Sequence, residues 1–152
     1  MAKKDSPEVI SGIGISLLSA SKRLKEDIKK IDAINCQPDI VGNLLGSTIL
    51  KAFSVELLIK GLSKQHGSSL RGHRIKKLFN SLPPEVQENV NLKYQLLIKR
   101  YKNPISLEEL LEKSNDAFTN WRYLYESNPE VMHFELLDVL AESLWQEHQE
   151  DF

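Results

Sequence analysis

The chain has 152 residues, of which 41% are hydrophobic and 27% are charged, enough for one soluble domain with one sizeable core. Lys and Arg number 20 against 21 Asp and Glu, so the formal net charge is −1. A chain without a global basic excess does not attract nucleic acid from a distance, so any such contact must come from a local cleft or from paired subunits.

The remaining bulk features favour a cytoplasmic protein. A single cysteine, Cys36, excludes an intrachain disulfide and fits a reducing compartment. No apolar run reaches transmembrane length, and no signal-type stretch follows the charged start. We therefore expect one cytoplasmic domain over residues 1–152, with no membrane association.

The first predicted helix begins at Ser6, because Ser6, Pro7 and Glu8 have the order that is typical of a helix start. It is expected to end within Asn35–Pro38, since proline disfavours helical geometry at the residue before it. Apolar residues recur on one face every three or four positions. This stripe consists of Ile10, Ile13, Leu17, Ala20, Leu24, Ile28 and Ile31.

The second predicted helix runs from an N-cap at Asp39 to about Gln65. It is apolar over most of its circumference, which is typical of the central helix of a bundle. The sequence predicts a polar side with Ser47, Lys51 and Ser54, and an opposite side with Ile49, Ala52, Phe53, Glu56 and Lys60.

A polar loop at His66–Gly72 separates this helix from a third, which opens at His73. Its inward residues are predicted to be Ile75, Leu78, Phe79 and Leu82. A fourth helix starts at Pro84, with Val86, Val90, Tyr94, Leu97 and Tyr101 facing inward.

A capping box at Ser106 and Glu109 predicts the start of a fifth helix, which continues through Trp121 as far as Tyr125. The last helix carries His133, Leu137, Leu140 and Leu144 on one face. No segment alternates long enough to predict a strand. The expected fold is all-α, an antiparallel up-and-down bundle of five to six helices.

Glu56 and Lys60 are the first candidate site residues, because side chains four apart meet along a helix. They form either an exposed ion pair or a partly buried pair that borders a cleft or a dimer interface. His73 is the second candidate. It is either a structural histidine or a cleft residue, acting as an acid/base or holding an anion at the start of the third helix.

Asn115, Arg122 and Glu126 share a helical edge if the fifth helix continues past Trp121. Arg122 either pairs locally with Glu126 or uses its planar guanidinium to hold a phosphate. His66 and His148 are expected to be exposed. The sequence contains no metal-ligand cluster, no Gly-rich phosphate loop and no nucleophile elbow, so neither a metal nor a cofactor is expected.

The central stretch resembles the HEPN domains of prokaryotes. Those domains combine a helix of the pattern A-x-x-x-E-x-x-x-K-x-L with a variable loop and a histidine that opens the next helix. The matching residues are Ala52, Glu56, Lys60, Leu62, His73 and Ile75, and the segment WRYLYE at 121–126 is similar to the Arg-Tyr segment of some members.

The resemblance implies a helical bundle that often forms a homodimer. Many members are metal-independent endoribonucleases of toxin–antitoxin and other defence systems, in which a His assists proton transfer and an Arg four to six residues away steadies the phosphate. Other members are non-catalytic and bind RNA, nucleotides, an antitoxin or a nucleotidyltransferase-like partner. Here the Arg–x(4–6)–His spacing is not matched, since Arg71 and Arg74 flank His73 too closely and ten residues separate Arg122 from His133.

Three hypotheses follow. The first is a non-catalytic HEPN-like module that binds RNA, a nucleotide or a protein partner. The second is a metal-independent endoribonuclease with a rearranged site of His73 and Arg122, supported by Glu56 and Lys60. The third is a structural helical interaction domain, in which these polar residues only stabilise the bundle or its dimer.

Overall fold

The computed structural model of the chain describes residues 5–31, 37–116 and 134–150. These ranges contain helices and connecting turns but no strand, which confirms the predicted all-α class. The six helices are α1 (Pro7–Ile28), α2 (Gln37–Gln65), α3 (Ile75–Asn80), α4 (Pro84–Ile98), α5 (Leu107–Ser114) and α6 (Phe134–Glu150).

Helix α1 runs antiparallel to both α2 and α6. The contacts that fix these directions are Gly14–Leu58 and Leu24–Gly46 between α1 and α2, and Ser11–His148 and Lys25–Glu135 between α1 and α6. Helix α4 also packs against α6, and its Lys93 forms ion pairs with Glu147 and Glu150. The four long helices therefore form the bundle, and the short helices α3 and α5 pack against it.

Two helix starts follow the predicted cap chemistry. The Ser6 hydroxyl accepts a hydrogen bond from the Val9 amide, and the Ser106 hydroxyl accepts one from the Glu109 amide, so each serine satisfies an amide that has no partner inside its helix. Most of the inward residues that the sequence predicted for α3, α4 and α6 are also buried, whereas Leu97 and Tyr101 are only partly buried. The buried residues include Ile75, Leu78, Phe79, Leu82, Val86, Val90, Tyr94, Leu137, Leu140 and Leu144.

The packing of α1 differs from the prediction. Its buried positions are Ser11, Gly14, Leu18 and Ser21, whereas the apolar stripe lies partly at the surface, with Ile13 50% exposed. Small residues allow the two helix backbones to approach closely. The hydroxyls of Ser21 and Ser47 each donate to the other residue's carbonyl, at 2.7 and 2.9 Å.

Helix α2 also turns its predicted polar side inward. Ser47, Lys51 and Ser54 are all buried; on the opposite side Ala52 and Glu56 are buried as well, while Ile49 is 37% exposed. The Lys51 ammonium lies 3.0 Å from the Asp138 carboxylate of α6, so a charged partner compensates for its burial. Burial still lowers the pKa of Lys51. For α1 the prediction relied on spacing, which shows that two faces differ but not which face is covered; for α2 the sequence left the covered side open.

The predicted ends of these two helices need correction as well. α1 ends at Ile28, before the predicted break, and α2 begins at Gln37, so Asp39 lies in its first turn and is not its N-cap. A carboxylate in the first turn still interacts favourably with the helix dipole.

Within the described residues, Pro38–Gln65 is long and apolar enough to cross a membrane. This is weak evidence for a membrane span, because the central helix of a soluble bundle has the same composition. The helix also carries the buried charges of Lys51 and Glu56, and each of them contacts an oppositely charged side chain.

Candidate functional site

Glu56, Lys60 and His73 form one cluster where α2 passes the loop before α3. Glu56 is 2% exposed, and its Oε1 atom accepts a hydrogen bond from the Lys60 ammonium at 2.6 Å. The Nδ1 atom of His73 lies 3.1 Å from both carboxylate oxygens of Glu56. The pair Glu56–Lys60 is therefore partly buried and is not an exposed surface ion pair.

The cluster presents one face to solvent through His73, whose side chain is 56% exposed. An ionised carboxylate only accepts hydrogen bonds, so the Nδ1 atom of His73 carries the proton that it shares with Glu56. In a neutral ring, Nε2 is then the basic nitrogen. A histidine oriented in this way can accept a proton or, when charged, bind an anion.

The fifth helix was predicted to continue through Trp121, but α5 ends at Ser114 and Asn115 is its C-cap. Its backbone carbonyl accepts from the Ile75 amide at 3.2 Å, and its side-chain oxygen accepts from the Lys76 amide at 3.1 Å. Asn115 therefore caps α3 from another part of the chain, in place of Arg74, which provides no side-chain cap. These two amides are occupied, so an anion beside His73 cannot use them.

Arg122, Glu126 and His133 lie outside the described residues. The structure thus brings together three of the predicted site residues, Glu56, Lys60 and His73. It places Asn115 at the N-terminus of α3, where it accepts hydrogen bonds from the Ile75 and Lys76 amides. No metal-binding group of three His, Cys, Asp or Glu side chains occurs among the described residues.

The near-neutral total charge of the chain conceals a local concentration of positive charge. Residues 57–84 contain six Lys or Arg residues and no Asp or Glu, a formal charge of +6 in a chain whose total is −1. We call residues 57–84 the basic segment; it comprises the last nine residues of α2, the polar loop and α3. A charge count in a moving window would have found it.

The basic segment lines an open groove beside α3. We call this the basic groove; its walls are Arg74, Lys76, Lys77, Asn80, Ser81 and Asn115. Arg74 pairs with Asp116 across 3.4 Å, and Lys76 pairs with Glu112, whose hydrogen bond raises the pKa of Lys76. Among the residues that the structure describes, Lys64, Arg71 and Lys77 have no ion-pair partner. Their charges are therefore available to a ligand.

Of the two histidines expected at the surface, His66 is exposed and His148 is buried. The prediction for His148 is wrong because this residue does not lie in a free tail. It packs between α6 and α1, where its Nδ1 atom lies 3.4 Å from the Ser11 hydroxyl and its ring stacks on Trp145 at 5.7 Å. His148 is thus part of the helix packing.

No family model, no curated protein and no solved structure matches this chain. The resemblance to HEPN domains therefore depends on the residues quoted above, in the stretch 52–75 and the segment 121–126. The function has to be argued from the site itself.

Proposed function

We propose that this chain is a HEPN-like module that binds RNA and does not cleave it by the usual chemistry of the nuclease members. The observation that carries the proposal is the basic segment, in which three of the six positive charges, those of Lys64, Arg71 and Lys77, have no ion-pair partner among the described residues. Phosphate contacts by Lys and Arg supply most of the affinity of proteins for RNA when the sequence is not read.

The Glu56 cluster supports the same function. The Lys60 ammonium lies 2.6 Å from the Glu56 carboxylate, so its positive charge offsets the repulsion that this carboxylate would exert on a phosphate. His73 stands at the surface of the cluster and is held in one orientation by two contacts with Glu56. Arg71 and Arg74, on either side of His73 in sequence, are exposed and able to contact the backbone of a strand.

We further propose that the chain acts as a homodimer. In α1 and α2 the small and polar residues are buried and an apolar face is left outside, with Ile13 50% and Ile49 37% exposed. Gly14 contacts Leu58 and Leu24 contacts Gly46, so the two exposed isoleucines belong to neighbouring antiparallel helices. A second copy that covers these residues would bring two basic segments into one dimer. Bivalent binding of one RNA to both segments would then raise the affinity for RNA.

Binding and cleavage are tested together by incubating the purified protein with a mixed RNA in the presence of EDTA. We expect the protein to retard the RNA in a native gel and the RNA recovered from the complex to be intact. The variant Arg71→Ala should bind more weakly, and Lys99→Ala, an exposed lysine at the end of α4, should bind like the wild type. A folded wild-type protein that retards no RNA would overturn the proposal.

The second candidate function is a metal-independent endoribonuclease with His73 as the proton-transfer group. It is favoured by one observation, the carboxylate of Glu56 at 3.1 Å from the Nδ1 atom of His73, which would keep Nε2 basic and oriented. Cleavage in EDTA that disappears in His73→Ala would establish this alternative. Cleavage that persists in His73→Ala would exclude this residue.

A further inference from the structure

A second groove opens next to the basic groove, between α3, α4 and α5. It encloses about 380 Å³, and the basic groove encloses about 360 Å³. We call it the amide pocket; its walls include Phe79, Asn80, Asn91, Leu107, Glu108 and Leu111. Lys76 and Asn80 line both grooves, so the two spaces are neighbours with a shared wall.

The amide pocket has an apolar floor and polar walls. Phe79, Leu107 and Leu111 are almost fully buried and form the floor. The side-chain amides of Asn80 and Asn91 have no hydrogen-bond partner in the described part of the chain. An amide both donates and accepts, so these two groups fit a flat ligand with an apolar face and a hydrogen-bonding edge. A nucleobase has this chemistry.

The charges of the two grooves differ in sign. The amide pocket carries the carboxylates of Glu88 and Glu108, whereas the basic groove carries Arg74 and Lys77. A phosphate is therefore repelled from the first space and attracted to the second. The Arg74–Asp116 pair does not block this, because both side chains are at least half exposed, and ion pairs of this kind are weak.

We propose that the two grooves together bind one nucleotide unit, with the base in the amide pocket and its phosphate held by Arg74 and Lys77. The unit comes either from single-stranded RNA or from a free nucleoside monophosphate. For RNA the inference rests on the proposed function and specifies it, since a base can enter the pocket only when it is unstacked from a partner strand. A duplex of the same length cannot offer such a base.

The test is fluorescence anisotropy with a labelled eight-nucleotide single-stranded RNA, an RNA of the same length that lacks its bases, and a duplex. A parallel calorimetric titration uses AMP, GMP, CMP and UMP. The variant is Asn91→Ala, and its matched control is Gln95→Ala, an exposed amide one turn further along α4. Far-UV circular dichroism verifies that both variants are folded.

We expect Asn91→Ala to weaken binding of the single strand roughly three- to tenfold, the effect of one lost hydrogen bond, and Gln95→Ala to leave it unchanged. The RNA without bases should bind wild type and Asn91→Ala equally, because the pocket then holds nothing. If Asn91→Ala weakens binding of the monophosphates by a similar factor and leaves binding of the single strand unchanged, the ligand of the pocket is the free nucleotide.

The inference is overturned if Asn91→Ala and wild type bind every probe alike and the RNA without bases binds as tightly as the normal strand. RNA binding that then still weakens in Arg71→Ala leaves the proposed function intact and removes only the base pocket. If the folded wild type binds neither RNA nor monophosphates, both proposals fail.

Discussion

Replacing Gly61 by alanine tests the close contact between α1 and α2. A Cβ atom at position 61 would lie 2.0 Å from the Ser11 hydroxyl, 3.2 Å from its Cβ atom and 3.3 Å from its amide nitrogen. The hydroxyl can rotate away only by leaving the Nδ1 atom of His148, at 3.4 Å. The Cβ and amide contacts remain, so the two helices have to move apart.

The expected effect combines opposing contributions. Overpacking costs about 1–3 kcal/mol and the lost hydrogen bond about 1 kcal/mol, while alanine in place of a helical glycine stabilises by about 1 kcal/mol. Gly61→Ala should therefore lower the free energy of unfolding by about 2 kcal/mol.

Gly12→Ala is the matched control, because a Cβ atom at position 12 meets nothing within 4 Å. It should raise the free energy of unfolding by about 1 kcal/mol through helix propensity alone. Urea unfolding followed by far-UV circular dichroism measures both variants. If Gly61→Ala proves as stabilising as Gly12→Ala, α1 and α2 are not in contact at Ser11 and the packing described here is wrong.

Three further predictions concern pH, capping and association. Burial raises the pKa of Tyr94 to about 12, whereas a tyrosine in the unfolded chain ionises near pH 10. Between pH 10 and pH 12 the free energy of unfolding should therefore fall by about 1.4 kcal/mol per pH unit, because only the unfolded state loses the proton. The fall should be less steep in Tyr94→Phe. Equal slopes in alkaline urea titrations would contradict this. Asn115→Ala should lower the free energy of unfolding by about 1 kcal/mol, because the Lys76 amide loses the side-chain oxygen that caps it. Asn115→Asp keeps such an oxygen and should retain most of the stability. Equal losses in the two variants would exclude capping of α3 by this side chain. Ile13→Glu or Ile49→Glu should convert the proposed dimer to a folded monomer in light scattering after size-exclusion chromatography, and a monomeric wild type would disprove the proposed dimer.

The sequence predicted the features that depend on neighbouring residues. The caps at Ser6 and Ser106 and the buried stripes of α3, α4 and α6 follow from local hydrogen bonding and from helical spacing. The grouping of Glu56 with Lys60 is local for the same reason, because they are four residues apart on one helix.

The features that the sequence did not predict depend on contacts between distant residues. The buried face of α1 was not predicted, because glycine and serine can form a tight interface that an apolar pattern does not reveal. The burial of His148 depends on Ser11, 137 positions away, and the cap that Asn115 places on α3 spans 39 positions. The basic segment, in contrast, was available in the sequence and was hidden by the near-neutral total charge.

The central claim, RNA binding through the basic segment, is tested most directly by the salt dependence of binding. Anisotropy titrations at several salt concentrations compare wild type with Arg71→Ala/Lys77→Ala and with Lys99→Ala/Lys102→Ala, which removes two exposed positive charges outside the segment. Each phosphate contact on a single strand contributes about 0.7 to the slope of log K against log salt. The slope should therefore become shallower by about 1.4 in the first variant and stay unchanged in the second. Equal slopes in all three proteins would contradict the account.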